Sequence, residues 1–241
     1  MHKEYIRISE KADTAVLMLH GIIGSPYHFK DFVPIVPESV DIYNLLLPGH
    51  GGGVSDFSRS SMAEWKKYVS GKLSEISGKY ESVIILAHSM GTLFAIDGAI
   101  NNMSVKRLFL IDSPMKAKFG IRAIYTCMKV LFGKNLSEKL LAAKNDTSIT
   151  LSKNLFKYIP WAQRYLELFG EIRRTRGKIG KIKIPTVVFQ SGLDELVSKK
   201  SAGYFEGYGN ISVTTLPNSG HFYYPQDELK IMTEAFKSIF E

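Results

Sequence analysis

Six short runs rich in valine, isoleucine and leucine recur along the chain with helical patterns between them, and this alternation restricts the possible folds more than any other feature. The runs are Ala15 to Leu19, Ile42 to Leu47, Val83 to Leu86, Leu108 to Ile111, Thr186 to Phe189 and Ser212 to Thr215. Helical stretches lie near Ala63 to Ser77, Gly91 to Asn101, Ser198 to Tyr208 and Gln226 to Phe240. A strand covered on both faces reads as a continuous apolar run, and parallel strands need a crossover that is usually a helix. The pattern therefore predicts an α/β fold, a mostly parallel central sheet with helices on both faces. At 241 residues one such domain is expected.

One interval breaks the alternation. Between Met115 and Gly180 the spacing is helical throughout, with stripes at Ile121, Ile124, Tyr125, Met128, Leu131 and Phe132 and at Trp161, Tyr165, Leu168, Phe169 and Ile172. Each stripe alone fits ordinary core packing. Their position decides otherwise, because an insertion after a strand lies over the C-terminal edge of the sheet, where open α/β folds bind ligands. The expected division is a core of residues 1–114 and 181–241 with a helical cap insertion at 115–180. Tyr125, Met128, Trp161 and Tyr165 are the candidate substrate-lining residues.

Composition excludes several classes. Hydrophobic content of 45% beside 22% charged residues is that of a folded globular chain. The N-terminal MHKEYIRISE is charged and strand-like, and no run of about 18 apolar residues occurs, so a cytoplasmic protein without stable membrane insertion is expected. The single cysteine, Cys127, cannot form an internal disulfide or a multi-cysteine zinc site. No two histidines sit four apart on a helix, so no metal is expected. The net charge of +8 favours acidic partners, yet the basic residues are spread out and no nucleic-acid motif is present.

The chemistry centres on SVIILAHSMGTLFAIDGAI, a buried strand ending at Ala87, then Ser89, then a helix from about Met90. That is the strand–turn–helix context of a nucleophile elbow, G-x-S-x-G, whose turn is too tight for large flanking side chains. Alanine at 87 replaces the first glycine and is the smallest alternative. An N-capping serine would occupy the same place in sequence. A hydroxyl nucleophile needs a base, an acid to orient the base, and backbone donors for the oxyanion. TVVFQSGLDELVS places Asp194 after one strand, VTTLPNSGHFYYP places His221 after the next, and VLMLHGIIGSP follows an early strand with a glycine-rich turn. The order Ser, Asp, His fits this fold, and the amides of Ile22 and Met90 are the candidate oxyanion donors. Asp112 in LFLIDSP and Glu195 are rival acids.

Together the stretches LHGIIGSP, LLPGHGG, AHSMG, GLDELV and SGH resemble the α/β-hydrolase superfamily, and within it small bacterial carboxylesterases and monoacylglycerol lipases with a compact helical cap. The resemblance implies an ester hydrolase with nucleophile Ser89, acid Asp194 and base His221, needing no cofactor. It further implies that His20 and His50 are structural. The expected substrate is a small-molecule carboxylic ester of short to medium acyl chain. A thioesterase acting on acyl-CoA or an acyl-carrier protein, and a non-catalytic binding or membrane-surface protein on the same fold, are the alternatives.

Overall fold

In the computed structural model, residues 2–118, 129, 130, 133 and 135–241 are described. Seven strands make one sheet: β1 Tyr5–Arg7, β2 Thr14–Leu19, β3 Asp41–Leu45, β4 Ser82–His88, β5 Val105–Ile111, β6 Thr186–Ser191 and β7 Ile211–Leu216. Their order is β1-β3-β2-β4-β5-β6-β7, with every pairing parallel except that of β1 on β3. All six expected strands are present and extend one to three residues beyond several of the apolar runs. The helices are α1 Val54–Arg59, α2 Met62–Ser77, α3 Met90–Asn101, α4 Glu138–Asp146, α5 Trp161–Arg176 and α6 Gln226–Lys237.

The period of two in each strand divides its side chains between two cores. Leu17, Leu19, Ile85, Ala87, Leu108 and Leu110 face a cluster completed by Trp65 and Leu73 of α2, Leu93 and Ile96 of α3, and Leu168 and Ile172 of α5. Met18, Leu86, Phe109 and Ile111 face the opposite cluster with Phe29, Phe32, Met232 and Phe236. Each large apolar side chain buried in this way contributes about 1.5–3 kcal/mol. Burial on both faces is why β2 and β4 read as unbroken apolar runs rather than as alternation.

One expected helix differs, and α1 has no counterpart among the expected ones. Ser198 to Tyr208 forms only a tight 3₁₀ segment, Lys199–Tyr204, carrying a glycine at 203 and capped by Ser198, whose side chain accepts from the Lys200 amide. The six-residue α1 is too short to show a helical period. Between β5 and β6 the described residues add α4, α5 and short 3₁₀ turns, with no strand of the sheet. Tyr125 and Met128 lie outside the described residues. No helix among the described residues is long and apolar enough to cross a membrane.

Candidate active site

Ser89 stands between the end of β4 and the first residue of α3 with φ 50° and ψ −122°. This is a sparsely populated backbone region whose occupation costs about 1–3 kcal/mol unless the surroundings enforce it. They do so here. The Ser89 amide donates to Ile111 O at 2.9 Å, and its carbonyl accepts from the Thr92 amide at 3.0 Å and the Thr92 hydroxyl at 2.7 Å. A capping serine would be extended and would accept from the first helical turn; Ser89 is neither extended nor capping. A side chain at Gly21 would come within 2.9 Å of Ser89 Cβ, and one at Gly91 within 2.1 Å of the Leu19 carbonyl oxygen. Glycine at these two positions lets the turn sit against the end of β2.

Asp194 and His221 come from the loops after β6 and β7. His221 Nδ1 lies 2.7 Å from Asp194 Oδ2, with both side chains buried. The other Asp194 oxygen accepts from the Leu196 and Val197 amides at 2.7 Å each, which fixes the carboxylate. With Nδ1–H donating to Asp194, Nε2 of the neutral ring carries the lone pair. Burial opposes charge on His221, but the facing Asp194, with Asp112 and Glu195 beyond it, overrides this and raises it to about 9.

The rival acids have other partners. Asp112, at φ 51°, accepts from the Ser191 amide at 2.6 Å, the Ser191 hydroxyl at 2.9 Å and Gln190 Nε2 at 3.2 Å. Burial first, and then the Asp194 charge, pushes its carboxyl up to about 8. The Tyr224 hydroxyl lies 3.2 Å from Asp112 Oδ2 and 3.3 Å from the His221 carbonyl, bridging the two loops. Glu195 accepts from the His221 amide at 3.4 Å rather than from its ring.

The turn after β2 is held by His20. Its Nε2 accepts from the Leu47 amide at 3.1 Å while Nδ1 donates to Gly21 O at 2.8 Å, and burial holds it down at about 4. The same carbonyl accepts from Gly24 N, closing a tight turn around Ile22 and Ile23. His50 packs edge-on against His20, Phe57 and Trp65. Trp161 donates Nε1–H to Val54 O and packs on Phe57 and Tyr158, so its ring is anchored on α1. Tyr165 lies half-buried against the same core. Two cavities, of about 320 and 300 Å³, flank α5 and α4 respectively, and neither has Ser89 in its lining.

Residues that sequence reasoning missed surround His221. His88 stacks on His28 at 3.7 Å and lies 4.6 Å from His221, and its Nε2 donates to the His221 carbonyl at 3.0 Å. Burial, and then the neighbouring imidazoles, keeps His88 well below the usual histidine range. His28 Nδ1 lies 3.2 Å from Asp146 Oδ2 at the end of α4. Nothing in the sequence connects positions 118 residues apart. His88, Asp112 and His221 approach one another closely enough to hold an ion. Hydrogen bonds engage His88 Nε2, both Asp112 oxygens and His221 Nδ1, while His88 Nδ1 has no hydrogen-bond partner among the described residues.

Solved structures similar to this one include a lipolytic enzyme of the metagenome-derived LipS and LipT pair (TM-score 0.72, 15% identity, 99% of this chain and 97% of that one). Another is a monoacylglycerol lipase from Paleococcus ferrophilus (0.69, 14%, 98% and 99%). A third is Est1E from Butyrivibrio proteoclasticus with ferulic acid bound (0.67, 17%, 99% and 93%). At these identities the likeness is one of fold. Among curated protein sequences none matches this chain. The model of the alpha/beta hydrolase family matches residues 16–230, a range that takes in β3 to β7, most of β2 and all three candidate catalytic positions, and the chain belongs to that family.

Proposed function

We propose that the protein is a serine hydrolase that cleaves carboxylic esters of short to medium acyl chain, as a carboxylesterase or monoacylglycerol lipase, through an acyl-enzyme. The observation that carries this reading is a strained, non-capping Ser89 after β4 in a fold whose loops after β6 and β7 also bring together a buried His221 and the Asp194 that engages its Nδ1. The likeness of the fold to two lipolytic enzymes and a ferulate-binding esterase supports the ester class. In this reaction His221 Nε2 takes the Ser89 proton as Oγ attacks the ester carbonyl, and Asp194 stabilises the imidazolium. The amides of Ile22 and Met90 hold the oxyanion, the first placed by the His20-bound turn and the second by the start of α3. His221 then protonates the departing alcohol, and water repeats the steps on the acyl-enzyme. No cofactor enters.

The segment 115–180 serves as the cap, and Tyr125, Met128 and Tyr165 receive the acyl chain, whereas the Trp161 ring is seated on α1. A fluorophosphonate probe should label Ser89 alone, and Ser89→Ala should lower turnover roughly 10⁶-fold. An adduct on another serine, or full activity in the variant, refutes the assignment. A p-nitrophenyl ester series run beside matched acyl-CoA thioesters separates esterase from thioesterase.

A further inference from the structure

Within residues 155–166 four large apolar side chains stand exposed: Leu155 (53% exposed), Phe156 (80%), Ile159 (67%) and Leu166 (69%). Leu155 and Phe156 belong to the 3₁₀ turn Leu155–Tyr158, and the Ile159 carbonyl accepts from the Ala162 amide as α5 begins. Ala162 and Leu166 are four apart on α5 and share one helix face, and Ile159 stands in the turn that leads into it. The turn is firmly built. The Tyr158 hydroxyl bonds both the amide and the carbonyl of Ser152, Asn154 Oδ1 accepts from the Phe156 amide, and Tyr158 packs inward on Trp161. The same element therefore turns one aromatic ring into the core and holds another out in water, where an uncovered phenyl gains nothing.

Two further exposed residues, Lys153 and Lys157, interleave with this patch, and neither makes an ion pair among the described residues. Seven residues beyond Leu166, exposed Arg173 carries the same face of α5 to a basic end. Apolar side chains that protrude, with basic residues among them, suit a soft anionic surface better than a pocket or a flat protein face. Contact between two copies through this patch would bring like charges together on a chain already carrying +8.

We infer that the outer face of this segment, Leu155, Phe156, Ile159 and Leu166 flanked by Lys153 and Lys157, docks the protein reversibly on the surface of an anionic phospholipid bilayer. The apolar side chains enter the headgroup region and the lysines face the lipid phosphates. This inference does not depend on the proposed hydrolysis, because none of these residues belongs to the candidate site.

Co-sedimentation with vesicles of phosphatidylcholine, alone or mixed with phosphatidylglycerol, tests it. Wild type should bind the mixed vesicles, bind neutral ones far less, and lose binding as salt is raised. Lys153→Gln with Lys157→Gln should weaken partitioning about 25-fold, a factor of about five for each lysine at an anionic surface. Phe156→Ser with Ile159→Ser should weaken it at least tenfold while the hydrolysis of a water-soluble ester is unchanged. Ser89→Ala should bind like wild type, so that a failure of the esterase reading leaves this test standing. Three outcomes each overturn the inference: absence of wild-type binding, equal binding to neutral vesicles, or a Phe156-dependent dimer in sedimentation velocity without vesicle binding.

Discussion

His221 faces Asp194 directly and Asp112 more remotely, and this sets the pH at which it can accept a proton. A general base must be neutral, so kcat/KM should climb with pH as the imidazole loses its proton. Because the folded ring is raised to about 9, the ascending limb should lie well above the 6.5 of a free imidazole. Asp112, pushed up to about 8, is ionised where His221 titrates, so Asp112→Asn should move the limb down towards 6.5. An unmoved limb in that variant would remove Asp112 from the electrostatics of the site. Asp194→Asn belongs to a different class, since loss of the orienting carboxylate favours the wrong tautomer and should cost about 10⁴ in turnover. Equal losses in the two variants would contradict the division of roles drawn from the hydrogen bonds. Ser89, Asp194 and His221 were legible in the sequence because a tight turn and a chain order both leave local signatures. The Tyr224 bridge and the His28–Asp146 pair leave none, because each joins segments that only the folded sheet brings together.

At the scale of elements, α3 is seated on β2 through Gly91, whose missing side chain leaves room for the Leu19 carbonyl. A Cβ there would stand 2.1 Å from that oxygen and 2.8 Å from the His20 carbonyl oxygen. Neither contact can be relieved by a side-chain rotation, so Gly91→Ala must push the helix off the sheet and should destabilise the fold by about 1–3 kcal/mol. Because Ser89 and Met90 begin that helix, activity should fall together with stability. A variant with full activity and an unchanged urea midpoint would show that the approach is looser than described. The helices α2, α3 and α6 were legible as helical stretches between the strand runs. The short elements were not: α1 and Lys199–Tyr204 have six residues each, less than two turns of α-helix, and their ends are set by tertiary contacts. Trp161 illustrates a further limit of spacing. Its place in an apolar stripe is equally consistent with lining a pocket and with its observed seat on Phe57, because periodicity gives a face and not what the face meets.

Across the whole molecule, the parallel sheet buries more imidazoles and acids than its chemistry requires, and together these groups should shape the stability curve. His20 is held at about 4 by burial, and His50 and His88 are held well below 6.5 by burial and neighbouring rings. Between about pH 4.5 and 6 the unfolded chain gains protons at these three rings that the native state refuses. Asp112 opposes them, since the native state keeps one proton that the unfolded chain has released. The net excess in the unfolded state approaches two protons at the acid end of this window. Stability should therefore rise with pH, by up to about 2.7 kcal/mol per unit, because each proton of difference corresponds to about 1.4 kcal/mol per pH unit. Above 6.5 the sign reverses. The three buried rings are then neutral in both states, whereas native Asp112 and His221 keep protons that the unfolded chain has lost, until the pH passes about 8 and 9 respectively. These five groups thus place a stability maximum near pH 6.5, with a decline on each side. Urea unfolding at pH 5, 6.5 and 8.5 should show it. Asp112→Asn removes one of the protons held on the alkaline side and should flatten that limb, while His88→Gln should flatten the acid limb. A curve that climbs steadily from pH 5 to 8.5, or one that neither variant alters, would mean that these buried groups keep their ordinary affinities for protons in the fold.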